Sequence, residues 1–333
     1  MAKSYRVRAA VRTDAKIDKI RAHPLVKGLA KAPDSLSFIV IPDLTLPGAF
    51  DSALQDATYV IHLAAPVPSF NGSITVTQDQ YDKYFVQDAV NATLGVLKSA
   101  ANAGHGVKRV ILTSSAMAVV PFPYLAASPE VDYSVSFGPE TRQLTPTGPF
   151  GSEVEAYGAG KTAVLNAAEA WFTSELGKQA NFDLINIVAG WTFGRDELVT
   201  SADELRVTGT NSVLLGLLLG NKSEWPFTGN AVVAADVARC HVLALAQKAL
   251  AKGETRTFVA STPIVWEDAV DVVRTEFGAD VEAGRLSTDG KQPTQPINFD
   301  GSKTEDILGI KFAPFQEAVR QIANQYLELL DQA

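Results

Sequence analysis

The sequence predicts an α/β chain: a parallel sheet with helices on both faces, followed by a smaller α/β lobe. Three observations carry this. Short apolar strands alternate with helical patterns from Tyr5 to Val188, the rhythm of parallel βαβ units. Small or polar residues stand where each strand stops, and such sheets bind ligands beyond their carboxyl ends. Finally, 333 residues of which 46% are hydrophobic suffice for a large core and, at ~150 residues per domain, for two lobes. The expected division is 1–194 for the sheet domain and 195–333 mainly for the second lobe, with some segments returning to the sheet.

Taken in order, Tyr5–Val11 is a strand candidate, and Arg12 follows it. Lys16, Ile17, Lys19 and Ile20 mark a helix. Leu36–Ile41 is the second strand, ending in Pro42-Asp43-Leu44. Phe50, Ala53 and Leu54 suggest a helical piece before the strand Thr58–Leu63, which ends at Ala64-Ala65-Pro66. Asp88–Asn102 is helical, with Val90, Leu94 and Leu97 on one face and Gly104 just beyond. Val107–Thr113 is a strand ending at Ser114-Ser115-Ala116, and Phe182–Val188 is another, ending at Ala189-Gly190. Pro121–Phe150 is a long Pro-, Ser- and Gly-rich connection. Connections of that length are usually functional or mobile, and this one is expected to wall part of a substrate site. The second lobe should contain helices over Asn211–Leu219, Asp236–Leu250, Trp266–Phe277 and Phe315–Leu330, with a short strand at Thr257–Ala260.

The stretch Glu155-Ala-Tyr157-Gly-Ala-Gly-Lys161 carries the chemistry. Val164, Leu165, Ala168, Phe172 and Leu176 recur after it at helical spacing. Positions four apart share a helix face, so a phenol and an ammonium can address one ligand. A cation beside a phenol favours its ionised form, and a phenol so placed can exchange a proton with an alcohol or ketone oxygen. The two glycines cost roughly 1 kcal/mol each in a helix, which fits the close approach of another backbone or a flat ligand.

Net charge −8 and pI 5.1 argue against nucleic acid and anionic membranes as partners. The one cysteine, Cys240, cannot form an internal disulfide and sits in a helical pattern as an expected inert thiol. Four histidines without ligand-like spacing predict no metal site. The longest apolar run, Val213–Leu219, is far below the ~20 residues that span a bilayer. With no secretory pattern at the N-terminus, a cytoplasmic protein is expected. The sequence sets no oligomeric state.

These residues resemble the extended short-chain dehydrogenase/reductases, and within them the dihydroflavonol-reductase and cinnamoyl-CoA-reductase-like branch with its fungal aldehyde, ketone and methylglyoxal reductases. The likeness runs through Tyr5-Arg-Val-Arg-Ala-Ala-Val-Arg12, Ile41-Pro-Asp-Leu44, Val60-Ile-His-Leu-Ala-Ala-Pro66, Arg109-Val-Ile-Leu-Thr-Ser-Ser115, Tyr157 with Lys161, Ala235–Val242 and Lys303–Ile310. It implies a Rossmann-like fold and NADP(H)-dependent reduction of a small aldehyde or ketone. By the resemblance Ser115 holds the substrate oxygen, Tyr157 protonates it, and Lys161 assists the tyrosine and binds ribose hydroxyls. Arg12, helped by Lys19, meets the 2′-phosphate, for which a guanidinium fork is suited. Asp43 and Leu44 line the adenine edge. Leu63, Ala64 and Ala65 pack along the cofactor. Ala189, where the family commonly has proline, and Thr192 flank the nicotinamide.

The family opens with a strand, a G-x-x-G-x-x-G turn and a helix before the strand that Tyr5–Val11 resembles, whereas here Met1-Ala-Lys-Ser4 leads directly into it. The expectation is that Tyr5–Val11 and Thr58–Leu63 either flank a gap or pair directly, and that residues 1–333 bind NADP(H) weakly. Two functions are therefore weighed: a carbonyl reductase, and a non-catalytic relative serving as a binding module.

Overall fold

The computed structural model describes residues 5–29, 35–68, 76–104, 106–248, 250 and 254–332. Its centre is a four-stranded parallel sheet in the order 255–260, 183–189, 109–115, 59–62. Every residue of the strand Asp183–Ala189 is buried, as expected of a strand covered on both faces. Val110, Leu112 and Leu184 pack under the helices Asp88–Asn102 and Glu153–Thr173, against Val96, Leu97, Ala168 and Phe172. Ile111, Ile185 and Ile187 point to the opposite face, against Cys240 and Ala244 of the helix Ala234–Leu245. Thr255–Ala260, from the C-terminal half of the chain, completes the sheet beside 183–189.

At the amino end of the sheet, Arg109 and Asp183 form a bidentate pair at 2.5 and 2.7 Å, both side chains buried. The Leu250 N–H also donates to Asp183 at 3.0 Å. At the carboxyl end the register sets Ser115 beside Ala189 and Ala189 beside Ala260, so these three strand ends form a level rim, while Tyr59–His62 stops earlier, with His62 opposite Leu112.

Val7–Val11 and Leu36–Val40 form a separate parallel pair. Neither strand is paired with Tyr59–His62, so of the two arrangements expected for this edge the structure has the gap. Val7 and Ile61 are 50% and 39% exposed there. Side-chain contacts hold the pair in place. Arg8 donates to the carbonyls of Ala53 and Gln55 at 2.9 and 2.7 Å, and Tyr5 meets Tyr59 edge to face at 6.2 Å. The helix Asp14–Ala22 is tied to the 197–204 segment, where Lys19 pairs with Glu204 at 2.7 Å and His23, just past its end, approaches Glu197 at 3.4 Å.

A second hydrophobic core packs the strands Trp191–Phe193 and Asn230–Val233 and the helices Gly209–Leu218, Asp268–Glu276 and Phe315–Asp331 around the buried Trp266. One local expectation is revised. Phe50, Ala53 and Leu54 are buried but lie in hydrogen-bonded turns, not in a helix. Gly48 and Asp56, both at positive φ, bracket the segment, and left-handed backbone at each end interrupts a right-handed helix. Within the 121–150 connection, Phe122–Leu125 is a helical turn and Ser136–Phe137 pairs with Asn298–Phe299. No described helix is long and apolar enough to cross a membrane.

Candidate active site

The Glu153–Thr173 helix is started by Ser152, whose hydroxyl accepts from the Glu155 N–H at 3.2 Å. Glu155 reaches back to the Gly151 N–H at 2.6 Å. One turn further in, Tyr157 and Lys161 share a face, with the Lys161 ammonium 5.6 Å from the phenol ring centre. Lys161 is buried and donates to the Thr113 carbonyl at 3.3 Å, so the helix docks by its lysine on the end of the central strand.

The glycines between them explain how the helix comes so close. A Cβ on Gly160 would stand 2.0 Å from the Phe85 carbonyl oxygen, and one on Gly158 would be 3.1 Å from the Met117 methyl carbon. The close neighbour expected from the sequence is thus the backbone of the 82–87 turn. Met117 in turn donates its N–H to the Ser115 hydroxyl at 3.3 Å. Gln143 bridges the Met117 carbonyl and the Thr162 hydroxyl at 3.2 and 3.0 Å, which fastens the long connection along the same helix.

Tyr157, Lys161, Ala64 and Ala65 line one cleft, together with His62, Pro66, Phe85, Thr93 and Thr113. His62, the last residue of its strand, meets Phe50 edge to face at 5.8 Å, and its Nε2 is buried without a partner. Burial, and then the Lys161 ammonium, push its pKa down to about 4, so the imidazole is neutral. His241, behind the sheet, is held differently: Val237 O lies 2.8 Å from Nδ1 and Thr113 Oγ1 2.7 Å from Nε2.

Ser115 and Ala189 lie side by side at the rim. The preceding residue, Ser114, is buried with its hydroxyl unpartnered. Arg12 is exposed at the end of its strand and close enough to Asp43 to act on it. The Asp43 carboxyl is held below the usual range chiefly by hydrogen bonds from the Thr45 hydroxyl and N–H, and further by Lys83 and Arg12. Leu44 packs on the Phe50 cluster, while Leu63 is 64% exposed. Lys19 is engaged with Glu204, and Thr192 lies in the strand Trp191–Phe193, its hydroxyl bonded to the Gly190 carbonyl at 3.2 Å. The residues that sequence reasoning did not assign are His62, Thr113 and Phe85. A histidine inside an apolar strand run was the available signal for the first, and helical spacing with Ala89, Ala92 and Val96 was that for Phe85. Among the described residues no group of His, Cys, Asp or Glu could hold a metal ion.

The sheet, its helix-covered faces and the rim define a Rossmann-like α/β protein. The chain belongs to the NAD dependent epimerase/dehydratase family, whose profile matches residues 1–258. It is 33% identical to ketoreductase CTB6 of Cercospora beticola, covering 98% of this chain and 89% of that one. It is 31% identical to the NAD-dependent epimerase/dehydratase ALT6 of Alternaria alternata, over 98% and 92%. Among solved structures, the NADPH complex of yeast methylglyoxal/isovaleraldehyde reductase Gre2 superposes with a TM-score of 0.76, covering 99% of this chain and 93% of that one at 22% identity. The likeness of fold is therefore close although the sequences have diverged.

Proposed function

We propose that this protein is an NADP(H)-dependent oxidoreductase that reduces an aldehyde or ketone to an alcohol. The convergence of Tyr157 and the buried Lys161 on one cleft below the Thr113 carbonyl carries the reading. The similarity to a ketoreductase and to the NADPH-bound Gre2 fold agrees with it.

The residues present fit the nicotinamide–ribose half of such a cofactor. Lys161 has N–H donors beyond the one given to Thr113, and the small side chains of Ala64 and Ala65 line the same cleft. Arg12 beside Asp43 is the candidate for the adenosine end, with the guanidinium as the phosphate partner. Bound NADPH supplies the hydride. The Ser115 hydroxyl holds the substrate carbonyl oxygen at the rim. Tyr157 gives its phenolic proton to that oxygen, and the Lys161 charge stabilises the phenolate left behind. The Pro121–Phe150 excursion, tied to the helix through Gln143, forms part of the substrate wall.

The test is to incubate the protein with NADPH and a panel of small aldehydes and aryl ketones, following cofactor oxidation and identifying the alcohol. Oxidation of none of them overturns the proposal. That outcome would favour a non-catalytic binding module, to which the separated strand pair 7–11 and 36–40 lends its weight.

A further inference from the structure

Two buried polar groups face the cleft with hydrogen-bonding capacity to spare. Lys161 and His62 are each 8% exposed. The lysine has three N–H donors and no acceptor, and the partner it has is the Thr113 carbonyl at 3.3 Å. The His62 Nε2 has no partner at all. The wall around them is apolar at Ala65, Phe85, Ala89 and Val164, and although it also carries the hydroxyls of Thr93, Thr113 and Tyr157, none of them pairs with His62 Nε2. An unmatched imidazole nitrogen in such surroundings costs free energy unless a ligand pairs with it.

The chemistry of the two groups defines that ligand. A neutral imidazole carries one bare nitrogen and one N–H. The lysine ammonium favours the tautomer whose lone pair, not its N–H, points into the shared cleft. Nε2 is then an acceptor and Lys161 a donor. A carboxylate or phosphate can accept from the lysine but has no hydrogen for Nε2. A ligand ammonium can donate but cannot accept. A hydroxyl does both at once.

We propose that His62 is a further cofactor-binding residue, its Nε2 accepting a hydrogen bond from a sugar hydroxyl whose oxygen is held by Lys161. This rests on the cofactor reading given above. It assigns to the histidine of the Tyr59–His62 strand a direct role in recognising the nicotinamide-side ribose, and it makes this point of the cleft selective for a hydroxyl over an anion.

The experiment measures equilibrium binding, without turnover, of NADPH and of analogues lacking either hydroxyl of the nicotinamide-side ribose. Wild type, His62→Leu and His62→Gln are compared; the Gln carbonyl oxygen can reach the place of Nε2. A neutral hydrogen bond corresponds to about a five- to tenfold change in affinity. His62→Leu should weaken NADPH by that factor and leave one deoxy analogue unaffected, and His62→Gln should recover most of the loss. Equal weakening of NADPH and both analogues by His62→Leu makes His62 a packing residue and overturns the inference. So does unchanged NADPH binding, which would mean that the nitrogen serves a water only. If His62→Leu does not fold, the comparison of His62→Gln with wild type decides: a Gln variant that no longer distinguishes NADPH from the deoxy analogues contradicts the inference, and one that does supports it. Failure of wild type to bind NADPH at all instead removes the cofactor reading, and this inference with it.

Discussion

Placing an alanine at Gly160 drives a carbon into backbone. The new Cβ would stand 2.0 Å from the Phe85 carbonyl oxygen and 2.9 Å from its carbon. Carbon–oxygen contacts settle near ~3.3 Å, so something must move by roughly 1.3 Å. A carbonyl in the Asp82–Gln87 turn cannot swing aside as a side-chain tip does. The Glu153–Thr173 helix must lift, taking Tyr157 and Lys161 with it. Overpacking of this kind costs about 1–3 kcal/mol, partly offset by the ~1 kcal/mol that alanine gains over glycine in a helix. We expect a net loss of about 1 kcal/mol in stability. If Tyr157 and Lys161 act as proposed, displacing them by ~1 Å also lowers turnover on the order of 10²-fold. Gly158→Ala is the control: its Cβ meets the tip of Met117 at 3.1 Å, which can rotate away, so stability should hold or rise by up to ~1 kcal/mol. Urea unfolding and NADPH-dependent turnover of the two variants separate the cases. Gly160→Ala as stable and as active as Gly158→Ala would refute the reasoning.

Asp183→Ala strands the buried Arg109 guanidinium; breaking a buried pair from one side costs about 3–5 kcal/mol, so a urea midpoint near that of wild type would contradict the role given to this pair. His62 sets a pH dependence: unfolded chains take up its proton below the ordinary value of 6.5, but the native state does so only at about 4. Stability therefore falls as pH drops through that window, by roughly 3 kcal/mol at ~1.36 kcal/mol per pH unit, and His62→Leu should flatten that part of the curve. Arg12→Ala should weaken NADPH about tenfold or more, the worth of a charge-assisted contact, and leave NADH nearly unchanged. Equal weakening of both cofactors would mean that Arg12 acts on packing.

The parts of this fold legible in the sequence are those fixed by local pattern. Leu36–Val40, Arg109–Ser115 and Asp183–Ala189 are apolar runs rich in branched side chains. The Tyr157–Lys161 face follows from helical spacing alone, and the glycines between them signalled the close contact before its partner was known. What escaped depends on residues far apart in the chain. Lys19 and Glu204 are separated by 185 positions, and neither announces the other. Phe85 of the Asp82–Gln87 stretch is spaced at helical intervals with Ala89, Ala92 and Val96, but nothing local marks its carbonyl as the seat of Gly160. Helical spacing at Phe50, Ala53 and Leu54 recorded burial correctly but not conformation, because the bracketing turns at Gly48 and Asp56 outweigh it. The depth of His62 depends on Phe50 and on the lysine of a helix about a hundred residues downstream.

The central claim is that Tyr157 is the proton donor of a carbonyl reductase. Tyr157→Phe removes one oxygen and leaves the helix, its cap and its glycine contacts in place. With any carbonyl that wild type reduces at the expense of NADPH, kcat should fall by a factor on the order of 10²–10⁴, while the dissociation constant for NADPH stays within about twofold, as expected for a group that acts mainly in the transition state. Turnover unchanged by the substitution would contradict the account.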